Sequence, residues 1–430
     1  MQCPAVPRAG KEAVYGEVRM ARNNAGEPPA AGPVIAGVDT HKDAHVLCLL
    51  DSLGRRLSSA SFPADADGYD ALARAIGDPG DCMVVGVEGT ASYGAGLARR
   101  LAELGYNVVE VLRPKRDRLM VGADKNDPED AERAARKAAS GDGCSVPKAQ
   151  DGWVEALRQD YVARRQLVKT TTACVDCAKS LLTTAPEPVR ERFRHESDAA
   201  GLMEALACAE PAGTAVEAAA LGSLRSLALA WREARRQAEG CESRMRSLIE
   251  ANAPALLGVE CVGTISAAAL AVTAGDNPDR MGGEASFAAV CGVSPVEASS
   301  GKVKRHRLNR GGNRQANWAL WQIVKARMAS DERTKAYVER RTREGKSKRE
   351  IMRCLKRYVA REVYKVLLDP NPDGAPPHGD GLRRMRRARR VTQREVAEAL
   401  GVSVTTIANL EHGRARSTRL ESGYYAFLTS

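Results

Sequence analysis

Between about residue 33 and residue 145, short apolar runs alternate with amphipathic segments, and two of the apolar runs end in a carboxylate. Asp39 lies in VIAGVDT, and Glu88 closes CMVVGVE. A carboxylate at the end of a buried strand is costly unless it is paired or binds a cation. This pattern therefore requires polar partners or a metal ion at the ends of two central strands.

The same region predicts an α/β fold built on a mixed sheet. Three hairpin-like strands come first (VIAGVDTHK, HVLCLLD and LSSASFPA), followed by strand–helix units from ADGYDALARAIG to YNVVEVLR. The last element, DPEDAERAARKAAS, is predicted as a helix that tolerates Pro128 in its first turn. This order favours a sheet with helices on its faces.

Two further acids, Asp127 and Asp130, are three residues apart in that last helix and should project together. Because functional groups gather where the ends of parallel strands meet, we expect them to join Asp39 and Glu88. Carboxylates are hard oxygen donors, and a divalent ion held by them can polarise a phosphodiester. The four acids thus predict a site for Mg²⁺ or Mn²⁺. Singly, each is explained as well by a solvated carboxylate or a helix N-terminal charge.

Length and charge narrow the class of protein. At 430 residues the chain should form roughly two to four domains. A net charge of +11 favours a polyanionic partner, either nucleic acid or an acidic membrane face. The most apolar stretch, TISAAALAVTAG, is shorter than the roughly 18 residues that cross a bilayer, and the first 32 residues lack a signal-peptide pattern. We therefore expect a cytoplasmic protein.

Residues 151–255 are predicted to form long helices. One ends before Pro186, and a second, starting with LGSLRSLALAW, follows a looser linker at 200–215. Two such helices most simply form an antiparallel coiled-coil hairpin, with an ordinary helical subdomain as the alternative. Cys174 and Cys177 form a CxxC without a second Cys/His pair, so packing at positions i and i+3 of the first helix explains them best.

A glycine-punctuated basic segment lies between Ser299 and Arg314 and contains no acid. Its six cationic residues are Lys302, Lys304, Arg305, Arg307, Arg310 and Arg314. Such a segment suits a phosphate backbone, although a merely soluble basic loop is the alternative. Ser300 stands directly before Gly301 in this segment. A serine beside several cations could attack a phosphodiester, but a serine beside a glycine is ordinarily a turn residue.

Several of these motifs resemble a known family. Three motifs resemble the N-terminal domain of the IS110-family transposases, which is RuvC-like and belongs to the RNase H superfamily; they are VDTHKD, GVEGTASYGAGLARRL and KNDPEDAERAAR. The basic segment, SSGKVKRHRLNRGGNRQANWAL, resembles the C-terminal domain of the same family. The resemblance places the family's Asp-Glu-Asp-Asp tetrad on Asp39, Glu88, Asp127 and Asp130. It implies that Ser300, with Ser299 as the alternative, is the nucleophile. The chain departs from the pattern at a glutamate, Glu129, which we expect to face solvent.

The resemblance implies a recombinase in which the acidic site of one protomer works with the serine of another. It also implies double-stranded DNA as substrate, a noncoding guide RNA, and a homodimer or homotetramer held by the long helices. A RuvC-like nuclease or junction resolvase, in which water attacks, is the alternative enzyme. A catalytically inactive helix-turn-helix regulator of DNA is the alternative outside enzymes.

The C-terminal tail differs from this pattern. Six arginines fall between residues 383 and 390, and Thr392 and Glu395 have capping-box spacing. The tail resembles the helix-turn-helix of Cro/repressor-type regulators, with a second helix from about 403 to 411. On this resemblance Thr405 and Asn409, with Val404 and Ala408, are candidates for base contact, and Gln393 for a phosphate contact. Only 17 residues follow Gly413, which are few for the last helices of such a domain.

The expected segments are a disordered leader, the RuvC-like domain, the helical dimerisation region, the C-terminal transposase domain, a linker and the helix-turn-helix tail. Their predicted bounds are 1–32, 33–150, 151–255, 256–370, 371–381 and 382–430.

Overall fold

The structure is a computed structural model of the 430-residue chain. It describes residues 32–112, 127–196, 198–297, 306–307, 309, 311–369, 379–412 and 417–429. The chain divides into two compact units, Met1–Pro147 and Lys148–Ser430. Nearly all of the predicted leader lies outside the described residues, as does most of the predicted linker.

In the described part of the first unit, six strands form a mixed sheet in the order β3-β2-β1-β4-β5-β6. The strands are β1 Val34–Thr40, β2 Ala44–Leu50, β3 Arg56–Pro63, β4 Cys82–Glu88, β5 Val108–Val111 and β6 Cys144–Ser145. The helices are α1 Ala66–Ile76, α2 Ala95–Glu103 and α3 Asp127–Ser140. β1 pairs antiparallel with β2 and parallel with β4, which confirms the mixed sheet predicted from the sequence. The two-residue β6, too short to have a sequence signature, was not predicted.

Helices cover both faces of this sheet. Val38 and Val87 pack with Leu72 of α1 and Leu97 of α2 on one face. On the other face, the small residues of α3 pack with Ile35, Leu50 and Val84; these small residues are Ala131, Ala135 and Ala138. The alternation of side chains along β1 and β4 therefore assigns each face of the sheet to a different set of helices.

A pair of glycines lets α3 lie unusually close to the sheet. Gly37 of β1 pairs with Gly86 of β4. A Cβ added at Gly37 would lie 2.2 Å from the backbone nitrogen of Ala135, and one added at Gly86 would lie 2.7 Å from Cβ of Ala138. Because real Cβ atoms do not approach so closely, only glycine allows this contact.

The second unit is mainly helical. Its helices are α4 Trp153–Thr184, α5 Glu187–Arg192, α6 Ala199–Ala207, α7 Ala215–Asn252, α8 Ala255–Gly258, α9 Thr264–Ala274, α10 Glu284–Val290, α11 Arg314–Ser330, α12 Glu332–Arg343, α13 Lys348–Leu368, α14 Asp380–Ala388, α15 Gln393–Leu400, α16 Val404–Glu411 and α17 Thr418–Thr429. A 3₁₀ turn spans Pro278–Arg280, and two short strands, β7 Val296–Glu297 and β8 His306–Arg307, pair antiparallel.

The long helices α4 and α7 form the predicted antiparallel hairpin. Arg164 of α4 pairs with Glu242 at 2.9 Å, and Asp160 pairs with Arg244 at 2.5 Å, so the two helices run in opposite directions. Cys174 is buried between them. Both cysteines of the CxxC lie on α4, as predicted, but only Cys174 is packed, because Cys177 is exposed.

The prediction of a loose linker at residues 200–215 was wrong over its first half, because α6 occupies Ala199–Ala207. Asp198 caps this helix by accepting hydrogen bonds from the amides of Ala200 and Gly201, both at 2.8 Å. Leu202 and Leu206 are buried against α7. Their i, i+4 spacing is an amphipathic signal that the surrounding alanines and glycines obscure.

The base of the helical hairpin shares one apolar core with the segment that follows it. Trp153 and Tyr161 of α4 belong to the same buried cluster as Leu270, Leu320 and Val363. In the part of the chain that the structure describes, none of the helices is long and apolar enough to span a membrane.

The four C-terminal helices form a small core of their own, which contains Leu382, Val396, Ile407, Tyr424 and Leu428. Helix α17 contributes the last two of these residues, so the short tail does complete the packing. The predicted capping box of α15 is present, and Gly401 ends this helix in the left-handed conformation.

Candidate functional site

Two of the predicted carboxylates are buried side by side in the first unit. Asp39 is 3% exposed and Glu88 is 5% exposed. Val38 pairs with Val87 in the parallel register, so Asp39 and Glu88 follow at the same level of adjacent strands. Each lies two residues beyond a glycine that contacts α3, and therefore on the α3 face of the sheet.

Neighbouring side chains hold the two strand ends in place. Nε2 of His41 lies 3.0 Å from Oδ2 of Asp39. The hydroxyl of Thr40 donates to the backbone oxygen of Glu88 at 2.8 Å and so joins the end of β1 to the end of β4. Gly89 turns the chain away with a φ of +67°. The sequence interpretation passed over His41, although a histidine two residues after the acid in VDTHKD could have indicated it.

The other two predicted acids lie in the first turn of α3. Asp127 is the first residue of this helix, and its side chain is outside the described residues. The carboxylate of half-buried Asp130 accepts a hydrogen bond from Arg133 at 2.5 Å. Glu129 is exposed, as predicted.

These acids lie one helical turn before the residues of α3 that contact the glycine pair. Asp127 and Asp130 are each four residues before such a contact, at Ala131 and at Ala134 respectively. One turn spans about 5.4 Å along the helix axis. All four acids are therefore within four residues of one close contact between α3 and the sheet.

The side chains at the strand ends offer oxygen donors that a metal ion could use. Among the side chains that the structure describes, which exclude that of Asp127, no group of three or more His, Cys, Asp or Glu is arranged to hold an ion. Buried carboxylate oxygens on neighbouring strand ends are nevertheless the ligands that Mg²⁺ and Mn²⁺ prefer. The chemistry of the donors therefore fits a hard divalent cation.

Most of the predicted basic segment lies outside the described residues. This applies to Ser299, Ser300, Lys302, Lys304, Arg305 and Arg310, and to the side chain of Arg307. The segment joins β7 to β8 and then leads to α11, whose first residue, Arg314, is exposed.

Where this segment leads into α11, a hydrogen bond and a close contact between two glycines attach it to the end of α10 and the turn that follows. The amide of Asn313 donates to the backbone oxygen of Val290 at 2.7 Å. A Cβ added at Gly312 would lie 2.2 Å from the backbone nitrogen of Gly292, so these two glycines are in close contact. Asn317 donates to the backbone oxygen of Gly292 at 2.9 Å and accepts from the ammonium of Lys356 at 2.8 Å. The sequence interpretation had assigned no role to Asn317 or Lys356.

In the tail, the predicted contact residues differ in their surroundings. Thr405 is exposed and Asn409 is half-buried on α16. The amide of Gln393, which we expected to touch phosphate, donates to the carboxylate of Glu411 at 2.7 Å. Glu411 is 1% exposed and also accepts from Arg386 at 2.7 Å and from Tyr424. Gln393 is thus tied to the core of the tail.

Three family models match this chain. A model described as a transposase, of the DEDD IS110 type, matches residues 36–185. A second, described as the transposase IS116/IS110/IS902 family, matches residues 253–339, and a helix-turn-helix domain model matches residues 379–421. The first two ranges contain the buried acids and the basic segment.

Two similar proteins are named as a transposase or as the product of an insertion element. A probable family 20 transposase from Pseudomonas aeruginosa is 30% identical over 280 residues, which are 63% of this chain and 73% of that protein. An insertion element IS110 uncharacterized protein from Streptomyces coelicolor is 31% identical over 147 residues, which are 34% of this chain and 36% of that protein. The chain therefore covers about a third of the second relative's length and nearly three quarters of the first's. With the family models and the Pseudomonas alignment taken together, the chain belongs to the IS110-type (IS116/IS110/IS902) family of transposases.

Proposed function

We propose that this transposase cuts and rejoins DNA by transesterification, using the buried acids and a serine nucleophile. One observation carries the proposal: Asp39 and Glu88 are buried at the same level of adjacent parallel strands. Burial of two like charges together is costly unless a cation compensates them. The matching DEDD-type model supports a divalent ion as that cation.

Asp39, Glu88, Asp127 and Asp130 would hold Mg²⁺ or Mn²⁺, which would stabilise the negative charge that develops on the phosphodiester. His41 positions the carboxylate of Asp39. Arg133, which binds Asp130, would have to release it before that carboxylate could act as a ligand. The close contact of α3 with the glycine pair fixes the distance between the helix and the two strand ends.

Ser300 is the proposed nucleophile, with Ser299 as the alternative. Its oxygen would form a bond to phosphorus while the bond from phosphorus to one deoxyribose oxygen breaks. The serine proton would pass through solvent to that leaving oxygen, which departs as a hydroxyl. The phosphoserine link conserves the energy of the broken bond for rejoining. Cations of the basic segment, among them Lys302 and Arg305, would stabilise the phosphorane.

The remaining functions follow from the family resemblance and the charge. Lys302, Lys304, Arg305, Arg307, Arg310 and Arg314 would bind the DNA backbone. A noncoding RNA would guide the protein to its target, and the α4–α7 hairpin would join protomers into a homodimer or homotetramer. Thr405 and Asn409 would read bases from α16. In this proposal, the predicted domain 33–150 contains the four acids, and the predicted domain 256–370 contains the serine and the basic segment.

A RuvC-like nuclease or junction resolvase is the second candidate function. It is favoured by one observation, namely that the acidic strand ends belong to a compact unit, Met1–Pro147, that does not contain the serine. In this reading water attacks the phosphodiester, and Ser300 is only a turn residue.

One experiment distinguishes the two candidate functions. The protein is incubated with end-labelled junction DNA and Mg²⁺, denatured, and analysed for labelled DNA covalently attached to protein. We expect an adduct in wild type and in Ser299→Ala, and none in Ser300→Ala or Asp39→Asn. Normal strand cutting by Ser300→Ala would remove the serine from the mechanism and establish the nuclease. Adduct loss in Ser299→Ala alone would move the role to Ser299.

A further inference from the structure

Helix α11 carries a stripe of two tryptophans between two cations on its exposed face. Arg314, Trp318, Trp321 and Lys325 follow the spacing i, i+4, i+7 and i+11, which places them on one side of the helix. Trp318 is 43% exposed and Trp321 is 39% exposed, while the opposite side, including Leu320, is buried in the core. We call these four residues the tryptophan stripe.

The exposure of this pair distinguishes it from the other tryptophans of the chain. The chain has four tryptophans, and the other two, Trp153 and Trp231, are 6% and 5% exposed. A large aromatic side chain is ordinarily placed in a core, so two neighbouring exposed ones indicate a binding surface. The core of the protein does not depend on these two tryptophans, because alanine and aliphatic residues fill the buried side of α11.

The charges of α11 indicate an anionic ligand. The helix RQANWALWQIVKARMAS contains no aspartate or glutamate. The ammonium of Lys325 lies 5.3 Å from the ring centroid of Trp321, and exposed Arg314 stands at the opposite end of the stripe. The helix also continues directly from the basic segment that begins near Lys302.

We propose that the tryptophan stripe binds the unpaired bases of a DNA strand. Indole rings stack on exposed bases whatever their sequence, and flanking cations contact the phosphates between them. A duplex does not offer this contact, because its bases are already stacked on one another. A second copy of the chain is disfavoured as the occupant, because the only charged groups of the stripe are cations and the proposed contact between copies lies on the α4–α7 hairpin instead.

This inference rests on the proposed function in one respect, that DNA is the substrate. Cutting and rejoining strands requires that bases near the exchange point be unpaired for a time. A stacking surface that continues from the proposed nucleophile segment would hold such bases and prevent them from pairing again. The stripe does not depend on the acids or on Ser300, so it can be tested without catalysis.

The test measures binding of the full-length protein to three probes in EDTA, which removes divalent ions. The probes are a single-stranded oligothymidylate, a DNA duplex of equal length and a single-stranded RNA of equal length. Stacking quenches indole fluorescence, and only Trp318 and Trp321 are accessible to quench. We expect quenching by the single-stranded DNA, and a loss of affinity of roughly 5- to 150-fold in Trp318→Ala and in Trp321→Ala. Trp318→Phe should retain most of the affinity, because phenylalanine also stacks.

Leu53→Ala is the matched control, since Leu53 is 76% exposed on the turn between β2 and β3 and should not affect binding. An equal loss of duplex and single-strand affinity in the alanine variants, or unchanged binding by both variants, would overturn the proposal. A larger loss of RNA binding than of DNA binding in the alanine variants would reassign the stripe to RNA. A change in sedimentation without a change in DNA binding would reassign it to a second copy. If wild type rejoins DNA while the alanine variants bind normally, only this inference fails; if wild type binds no DNA probe, the proposed function fails with it.

Discussion

The ammonium of Lys356 lies 2.8 Å from the side-chain oxygen of Asn317, and the amide of the same asparagine donates to the backbone oxygens of Cys291 and Gly292. One side chain thus links α13, α11 and the turn after α10. Lys356 is 7% exposed, and this burial lowers its pKa. The structure therefore keeps a costly cation at the point where the basic segment enters α11.

Replacement of Lys356 by methionine should change how stability depends on pH. The pKa of Lys356 in the folded protein is below its ordinary value of 10.5, so the folded state gives up the proton first. The resulting stabilisation is fully present above pH 10.5 and is lost as pH falls through the folded pKa. As pH increases from the folded pKa to 10.5, we therefore expect the urea midpoint of wild type to rise relative to that of Lys356→Met. Lys348→Met, at an exposed position on the same helix, should show no such rise; a constant difference for Lys356→Met would contradict the prediction.

Gly37→Ala should displace α3 and inactivate the enzyme. The added Cβ would lie 2.2 Å from the backbone nitrogen of Ala135, and backbone atoms cannot move aside as a flexible side chain can. We expect a loss of about 3 kcal/mol in the free energy of unfolding, measured by denaturation, and faster hydrogen exchange in α3. Gly80→Ala is the control, because its Cβ would meet only the side chain of Asp78, at 3.1 Å. Unchanged exchange in α3 of the Gly37 variant would show that the helix tolerates the added methyl group.

Asp39→Asn should abolish DNA cutting without lowering stability in EDTA. The substitution removes a charge that is 3% exposed, so metal-free protein should unfold at the same or a higher temperature. Wild type should gain melting temperature when Mg²⁺ is added, because a ligand that binds only the folded state stabilises it, and the variant should lose this gain. Asp43→Asn, on the exposed turn after β1, is the matched control. An equal Mg²⁺ response in Asp39→Asn would place the ion elsewhere.

Much of the first unit could be predicted from the sequence, because local patterns determine it. The apolar runs that end in Asp39 and Glu88 are strands, and the helix that begins at Asp127 follows from its periodicity and from a proline tolerated in the first turn. The antiparallel pair α4 and α7 follows in the same way from apolar spacing. These signals extend over one element at a time and do not require knowledge of distant partners.

Contacts between distant residues could not be predicted in this way. Asn317 and Lys356 are 39 residues apart, and nothing near either of them indicates the other. A lone glutamate such as Glu411 has the sequence pattern of a surface residue, although the fold buries it with Arg386. His41 is a different case, since it stands two residues after Asp39 and its position in VDTHKD could have indicated the contact.

Glu411→Gln should unfold the helix-turn-helix tail while the rest of the chain stays folded. Burial raises the pKa of Glu411, but hydrogen bonds from Arg386 and Tyr424 more than offset this effect, so the net shift is downward. The variant leaves Arg386, itself 8% exposed, without its carboxylate. Such a loss costs about 3–5 kcal/mol. Hydrogen exchange of α14–α17 in the full-length protein at pH 7 measures the effect.

The same pair should make the wild-type tail sensitive to acid. The pKa of Glu411 in the folded state is below its ordinary value of 4.5. The stabilisation that its carboxylate gives the tail is therefore fully present above pH 4.5 and is lost as pH falls through the folded pKa. The protection of α14–α17 should fall over that range in wild type but remain low and flat in Glu411→Gln. Glu398→Gln removes an exposed glutamate paired with Arg394 on α15 and should behave as wild type. Equal protection of the tail in Glu411→Gln and Glu398→Gln would mean that apolar packing around Tyr424 alone holds the tail together.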